Sequence, residues 1–496
     1  MKMNYFIGID VGTSGTKSVL FDESGKIIAD AYREYPMYQP HNGWAEQDAE
    51  DWKNAAFETI RELSAAVCTD DIKGIGVSGQ MHGLVMLDEE NNVLDRSLIW
   101  CDQRTSKQVD EVCEVIGREK YIELTYNAPN TSFTLFKLLW IKKNKPEIYS
   151  KIKKVLLPKD YINFCLTGNY VTDVSDAGGT GYFSVKDREW CDEILDAFGI
   201  DKSILPEVKE SCEVAGALTA QSAEMTGLST SVTVAAGAGD QAAAALGNGI
   251  VGEGDMSISM GTSGVVFSAV NNPIFDKQGR IHTLCHSVPG MFHVMGVTQS
   301  CGLSLSWFKH NFAENKSYKE LDAEASDISS DGIVFLPYLM GERTPHLDPD
   351  CRGSFTGISA GHTTANLYRA VLEGVCYSLK DCFEIMKSTG LSAGNIGVCG
   401  GGANSNLWLQ ILADILGADV CKNDNSESGA RGVAILASVA SCFYSDVPTA
   451  AENMNSSVLT PFVTNNENSE YYNSIYNIYK AMYSCIKEAY IAQKTK

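Results

Sequence analysis

IDVGTSGTK, from Ile9 to Lys17, and ISMGTSGVV, from Ile258 to Val266, decide the reading of this chain. Each sets Gly-Thr-Ser-Gly directly after an apolar run, and the two copies begin 249 residues apart, at Gly12 and Gly261. Glycine permits positive φ and removes the Cβ that keeps a ligand off the backbone. Successive N–H groups in such a turn point the same way and form a concave anion site. Thr13, Ser14, Thr262 and Ser263 add hydroxyl donors. A single copy reads equally well as an ordinary hairpin turn. Two copies, each behind a strand, point to the phosphates of one nucleotide held from both sides.

The bulk numbers set limits around that reading. At 496 residues the chain exceeds one hydrophobic core, so two or more domains are expected. Forty basic against 62 acidic residues give a net charge of −22. That balance argues against nucleic acid as the main partner, because a phosphate backbone needs a basic stripe. An anion can still be bound through local devices such as backbone N–H groups, one lysine or a metal ion. Fifteen cysteines lie scattered from Cys68 to Cys485 without a C-x-x-C pair, so reduced, mostly buried thiols in a cytoplasmic protein are expected. MKMNYFIGID leads straight into an apolar run, which predicts no signal peptide. No stretch is apolar enough to span a membrane.

Periodicity places strands at YFIGID, TKSVLFD and KIIADAYR, separated by the GTSG and ESG turns. Gln47 to Ala66 has helical spacing and an acidic first turn. GIGVSG reads as a strand, and LVMLDEENNVL as a hairpin with a polar tip. In the second half, DMSISM and GVVFSAV flank the second GTSG, and HTLCHSVPG with MFHVMGV forms a further strand pair. Helices are expected over Leu367–Ile385, Trp408–Leu416, Val433–Ser441 and Tyr472–Ala492. The sum is an α/β protein in which a hairpin device recurs in two domains, 1–245 and 246–450, with a helical extension over 451–496.

Four further features carry chemistry. Asp10 precedes the first turn, where it either holds Mg2+ through waters or caps its own turn. Lys17 either reaches a terminal phosphate or is a solvated strand lysine. In AAGAGDQAAAALG, Asp240 enters a small-residue helix at the end of an apolar strand, as an N-cap or as a group facing a ligand. In GVCGGGANSNLWLQ, Gly400, Gly401 and Gly402 let a flat ring approach the backbone. Neither the G-x-G-x-x-G spacing of a dinucleotide fold nor a Walker A loop is present.

These pieces, in this order and over nearly the whole chain, resemble the FGGY family of carbohydrate kinases. GIDVGTSGTKSVLFD is similar to the family's first phosphate loop, and SMGTSGVVF to its second. AAGAGDQAAAALG resembles the segment of its catalytic Asp, FLPYLMGERTPHLDPDCRGSFTGI its second signature, and GGGANSNLWLQILADIL its adenosine segment. GVSGQMHGLVMLD followed by LIWCDQRT resembles the sugar segment of the xylulose-phosphorylating branch. The resemblance implies two actin-like, ribonuclease-H-like ATPase domains around a central cleft. It implies ATP and Mg2+ as cofactors and a small sugar, D-xylulose, as acceptor. Asp240 would be the general base. Gln80, Met81, His82, Trp100, Asp102, Arg104 and Asp240 would line the sugar site. Gly12, Thr13, Ser14, Lys17, Gly261, Thr262, Ser263, Gly401, Gly402 and Asn404 would hold the nucleotide, and Asp10 with Asp240 the metal. A homodimer follows from the family alone. Arg431 stands where relatives carry an aliphatic residue, and Gln241 where Asn is common. A kinase of another ketopentose or polyol, another actin-like ATPase and a non-catalytic sugar sensor are the alternative readings.

Overall fold

The computed structural model describes residues 3–425, 427–455 and 459–494. The first GTSG joins Tyr5–Val11 to Gly15–Asp22, an antiparallel pair whose register runs from Tyr5–Asp22 to Val11–Thr16. Ile27–Glu34 continues the ribbon on one side, and Ile72–Gly79 adds parallel to Tyr5–Val11 on the other. Thr233–Ala235 then pairs parallel to Ile72–Gly79, with Val214–Ala217 at the edge. The second GTSG joins Met256–Met260 to Gly264–Val270. Phe292–Thr298 and His282–Cys285 extend that ribbon, and Ile396–Cys399 lies parallel to Met256–Met260. Val420–Asn423 follows, parallel again. In both sheets the five common strands stand in the order three, two, one, four, five. The repeat is therefore a whole sheet with its crossovers, larger than the hairpin expected from sequence.

The other elements follow their periodicity closely. Ala49–Ser64 is helical with Asp48 as its cap, accepting from the Glu50 amide. The expected helices run over Thr364–Ser388, Asn406–Leu416, Ser428–Ala440 and Asn466–Lys494. Two expectations are incomplete. In LVMLDEENNVL the hairpin closes through the Leu87–Val93 bridge and backbone bonds from Asp88 to Asn92 and from Leu94 to Met86, but the strand Val85–Leu87 also pairs with Lys154–Leu156, which sequence did not show. The stretch from 451 onward is not purely helical: Leu459–Phe462 adds a strand to the second sheet beside Val420–Asn423. The positions 456–458, 495 and 496 of that stretch lie outside the described residues.

The helix Ser428–Ala440 comes from the second half of the chain but packs on the first sheet. A Cβ on Gly8 would lie 1.8 Å from the Ala430 carbonyl oxygen, and one on Gly76 2.0 Å from that of Val433. The same helix crosses Asp240–Gly247, where a Cβ on Gly432 would meet the Ala243 carbonyl at 1.9 Å. The run of small residues after Asp240 is thus a packing surface. Arg431 is buried in this interface, and its Nη1 donates to the carbonyls of Gly25 (2.5 Å) and Met454 (2.8 Å). Its guanidinium spans three segments of chain where an aliphatic side chain would leave both carbonyls unpaired.

All fifteen cysteines are free: six buried, six half-buried, and Cys68, Cys442 and Cys485 exposed. The expectation of mostly buried thiols holds for the core positions only. Among the described residues no helix is long and apolar enough to cross a membrane.

Candidate active site

At the carboxyl end of the first sheet, Ser78 has Asp10 as its register partner on one side and Ala238 on the other. This sheet end is where open α/β folds place their ligands. The chain reaches it through Gly237, at φ +82°, where a Cβ would lie 2.0 Å from the Val77 carbonyl oxygen. Three residues later Asp240 begins its helix. The N-cap is Gly239, so Asp240 does not cap the helix; its Oδ1 accepts from the Gln241 amide at 2.7 Å, and the Gln241 side chain also bonds the carboxyl. Burial, together with the neighbouring Asp10 charge, pushes the Asp240 carboxyl up to about 7. Burial and Glu427 push Asp10 up to about 6. Gly429, at the start of Ser428–Ala440, leaves room for Asp10, whose Oδ2 would lie 3.0 Å from a Cβ there.

The first GTSG turn has its carbonyls turned into the protein. Gly12 O accepts from Tyr35 Oη at 2.6 Å, Thr13 O from Gln47 Nε2 at 2.7 Å, and Ser14 O from the Tyr35 amide at 3.4 Å. The second turn does the same: Gly261 O accepts from the Gly302 amide at 2.8 Å, and Thr262 O from those of Cys301 and Leu303. Acceptors that would repel an anion are thereby withdrawn from both turns. Ser14 and Thr262 are exposed. Thr13 is less available than expected, because its hydroxyl donates to Gln80 Oε1 at 3.3 Å and accepts from Trp100 Nε1 at 2.9 Å. Lys17 pairs with Asp30 and lies 3.8 Å from Glu427, so its ammonium is committed within the protein.

Gly261, Thr262, Gly401, Gly402 and Asn404 line one cavity of about 1030 Å3 together with Leu303, Tyr318 and Asp322. Ser263 lies beside it, half-buried. The three glycines play different parts. A Cβ on Gly400, at φ +89°, or on Gly402 would strike Met260 within 3 Å, and the Gly402 Cβ would also strike Trp408. Only Gly401 has open space above it.

Met81 and His82 gather with Asp240. A Cβ on Gly179 would strike the His82 ring at 2.6 Å and Met81 Cε at 2.8 Å, while one on Gly239 would meet Met81 at 3.1 Å. His82 adopts φ +71°, a left-handed conformation that costs a side-chain residue energy. Its carbonyl is held by Lys137 Nζ at 2.7 Å and Thr134 Oγ1 at 3.2 Å. Its Nδ1 lies 2.7 Å from the Gly179 carbonyl oxygen. A carbonyl only accepts, so Nδ1 carries the proton. Burial pushes the ring's pKa down to about 3, which leaves Nε2 as a lone-pair acceptor for a hydroxyl. Trp100 is 40% exposed and offers a ring face on the same side of Thr13.

The remaining expected sugar residues sit behind this surface. Gln80 is buried and bonds Gln47, Thr13 and Gly12, bracing the first turn. Asp102 and Arg104 form a buried pair at 2.7 Å, with Arg104 also bonded to Glu46 and stacked on Trp44. They reach no open surface. Lys137, Gly179 and Phe133 were not foreseen. A lysine inside the apolar run TLFKLLW was the available signal for the first.

A phosphate-type pocket on the second sheet and a carboxylate pair beside a polar turn on the first define a two-lobed α/β kinase of the actin-like ATPase fold. Residues 5–247 match the N-terminal domain of the FGGY family of carbohydrate kinases, and residues 256–441 its C-terminal domain. The xylulose kinase of Bacillus subtilis (strain 168) is 38% identical, covering 99% of both chains. That of Lactococcus lactis subsp. lactis (strain IL1403) is 40% identical over 98% of both. The crystal structure of a xyloylose kinase from Brucella ovis superposes with a TM-score of 0.92 at 34% identity, covering 98% of this chain and 100% of that one. The chain belongs to the FGGY family of carbohydrate kinases.

Proposed function

We propose that the protein transfers the γ-phosphoryl of ATP to a hydroxyl of D-xylulose, giving D-xylulose 5-phosphate. The carrying observation is Asp240: a carboxyl at the sheet end, poised near neutral pH, one residue beyond the glycine packed on Met81. A base is most effective when its pKa lies near the working pH. The relatives' names supply the sugar. The cavity beside the second GTSG takes the nucleotide, with its base and ribose over Gly401 and its phosphates toward Thr262. His82 Nε2 accepts from one sugar hydroxyl, Trp100 covers the carbon skeleton, and Asp240 receives the proton of the attacking hydroxyl.

Asp10 and Asp240 fit a divalent cation. Mg2+ is ordinarily held by one or two carboxylates, substrate phosphates and its own waters, and these two carboxyls repel each other unless something positive joins them. Bound there, Mg2+ would neutralise phosphate charge.

A coupled ADP-release assay over D-xylulose, D-ribulose, L-xylulose and glycerol tests the reading. The expected result is a kcat/KM highest for D-xylulose and a weak ATPase without sugar, because sugar-driven closure excludes water. ADP release that is equal with and without every sugar overturns it.

A further inference from the structure

A transferring phosphoryl group spreads negative charge over its oxygens, and a fixed cation at that point stabilises the transition state. Lys17 is committed to Asp30 and Glu427. The second lobe carries a cation without such a commitment. Arg343 belongs to GERTP, Gly341 to Pro345. Its side chain is half-buried, yet among the described residues no ion pair or hydrogen bond reaches the guanidinium. Its neighbour Glu342 is occupied elsewhere. Oε1 accepts from the amides of Gln299 (2.9 Å) and Arg343 itself (2.8 Å), and Oε2 from the hydroxyls of Thr298 (2.8 Å) and Ser378 (3.2 Å).

The backbone around this free cation is riveted in place. The Thr344 amide donates to Val297 O at 3.1 Å, and its hydroxyl accepts from the Val297 amide at 3.2 Å and donates to Arg280 O at 2.7 Å. Arg343 is therefore fixed to the end of the strand Phe292–Thr298. That end adjoins the second GTSG: Thr298 pairs with Gly264, and the Cys301 amide donates to Thr262 O at 3.0 Å. The neighbouring strand, His282–Cys285, walls the sugar side. Leu284 fills the space against Gly178, one residue before the carbonyl that orients His82. Phe133 lies between the rings of His282 and His82, with centroids 6.3 and 5.1 Å away. Burial is the main cause of the lowered basicity of both histidines, and the Arg343 charge adds to it in each.

Resting on the kinase reading above, we infer that Arg343 is the cation that meets the γ-phosphoryl group as it passes from the nucleotide loop to the sugar. The sugar oxygen forms its bond to γ-phosphorus while the bond to the bridging oxygen breaks. The bonding pair leaves with ADP, and the hydroxyl proton goes to Asp240. The guanidinium fork spans two peripheral phosphoryl oxygens, a geometry that a lysine cannot reproduce.

Arg343→Gln and Arg343→Lys, assayed with D-xylulose and ATP, test this. Arg343→Gln is expected to lose about 100-fold or more in kcat, with both KM values within about threefold of wild type. Arg343→Lys falls between. Because the guanidinium makes no hydrogen bond or ion pair among the described residues and has only the through-space charge of Glu342 beside it, both variants keep a melting temperature close to wild type. Guanidinium ion at non-denaturing concentration restores activity to Arg343→Ala and not to Asp240→Asn. A kcat for Arg343→Gln within about threefold of wild type, no rescue by guanidinium, or a lowered melting temperature in both variants overturns the inference. A wild-type enzyme that phosphorylates no sugar in the panel sinks the kinase reading instead.

Discussion

Asp10 and Asp240 stand on opposite sides of the strand end at Ser78, and burial, with the charge of the first added to it, holds the proton on the second. Two carboxyls sharing a partly dry site resist double ionisation. The pair is therefore both a place for a cation and a base tuned toward neutrality.

The base must be ionised to accept a proton, and its carboxyl stands at about 7 in the free protein. Log kcat/KM for D-xylulose should fall by one unit per pH unit below about 7, and level off above it. Asp240→Asn should retain sugar binding and lose about 100- to 10,000-fold in kcat. Asp10→Asn removes the neighbouring charge, so its residual activity should break at lower pH. The titration of ATP itself cannot respond to that substitution. A break that stays in place in Asp10→Asn would show that Asp240 is not the titrating group.

The same pair makes stability depend on pH in the unusual direction. A carboxyl raised in the folded state binds its proton more tightly there than in the unfolded chain. Its contribution is present below the unfolded value near 3.9 and is lost as pH rises toward about 6 for Asp10 and about 7 for Asp240. Without divalent cation, the melting temperature should fall between pH 5 and pH 7.5. Asp240→Asn should flatten part of that slope, and Mg2+ should reverse it. Calorimetry across that range checks the sign. Glu342 and Asp381 also stand near 7, so the difference between variant and wild type is the informative quantity.

Local patterning carried most of the fold. Ile9, Val11, Ile258 and Met260 are buried on strands that end at the two turns, so an apolar run followed by GTSG marks the element correctly. What it does not carry is the partner of each strand. Val85–Leu87 pairs with residues some seventy positions away, and Ser428–Ala440 crosses to the first sheet through backbone contacts at Gly8 and Gly76. Close approach of backbones leaves only glycines in a sequence, and glycine has several uses. The site divides in the same way. Asp240 stands out as a carboxyl at a strand end, and His82 comes only from the resemblance; the fold brings the two together around Gly179, Met81 and Gly239. The burial of Asp102 and Arg104 was not legible, since a charged pair looks alike in a pocket or behind one.

Lys137 tests the support beneath the sugar turn. Its ammonium is fully buried, donates to the His82 and Ser132 carbonyls, and is brought down to about 7 by burial. Lys137→Met fills the same volume and leaves the His82 carbonyl with Thr134 alone. His82, already at positive φ, should then lose its fixed orientation. The KM for D-xylulose should rise about tenfold, since one charge-assisted hydrogen bond is worth ~1.5–3 kcal/mol, while the KM for ATP stays unchanged. Equal changes in both constants would instead report a general loss of fold.

Gly401 and Gly402 make a paired test of the nucleotide cavity, because adjacent glycines there answer to different constraints. A Cβ on Gly402 would press into Met260 Cβ and the Trp408 ring, both 2.7 Å away. Trp408 is buried and its indole N–H is fixed to the Leu372 carbonyl at 3.0 Å, so it cannot yield cheaply. Gly402→Ala should lower the melting temperature, with a cost of about 1–3 kcal/mol from overpacking. A Cβ on Gly401 meets no protein atom within 4 Å and projects into open space at the cavity wall. Gly401→Ala should therefore fold as well as wild type and obstruct only a ligand that lies flat on the backbone. The expected signature is a raised KM for ATP, unchanged kcat at saturation and unchanged KM for sugar. Isothermal titration with ADP would follow the same loss without turnover. Gly401→Ala with full nucleotide affinity would move the base and ribose away from this wall, and with them the assignment of the cavity.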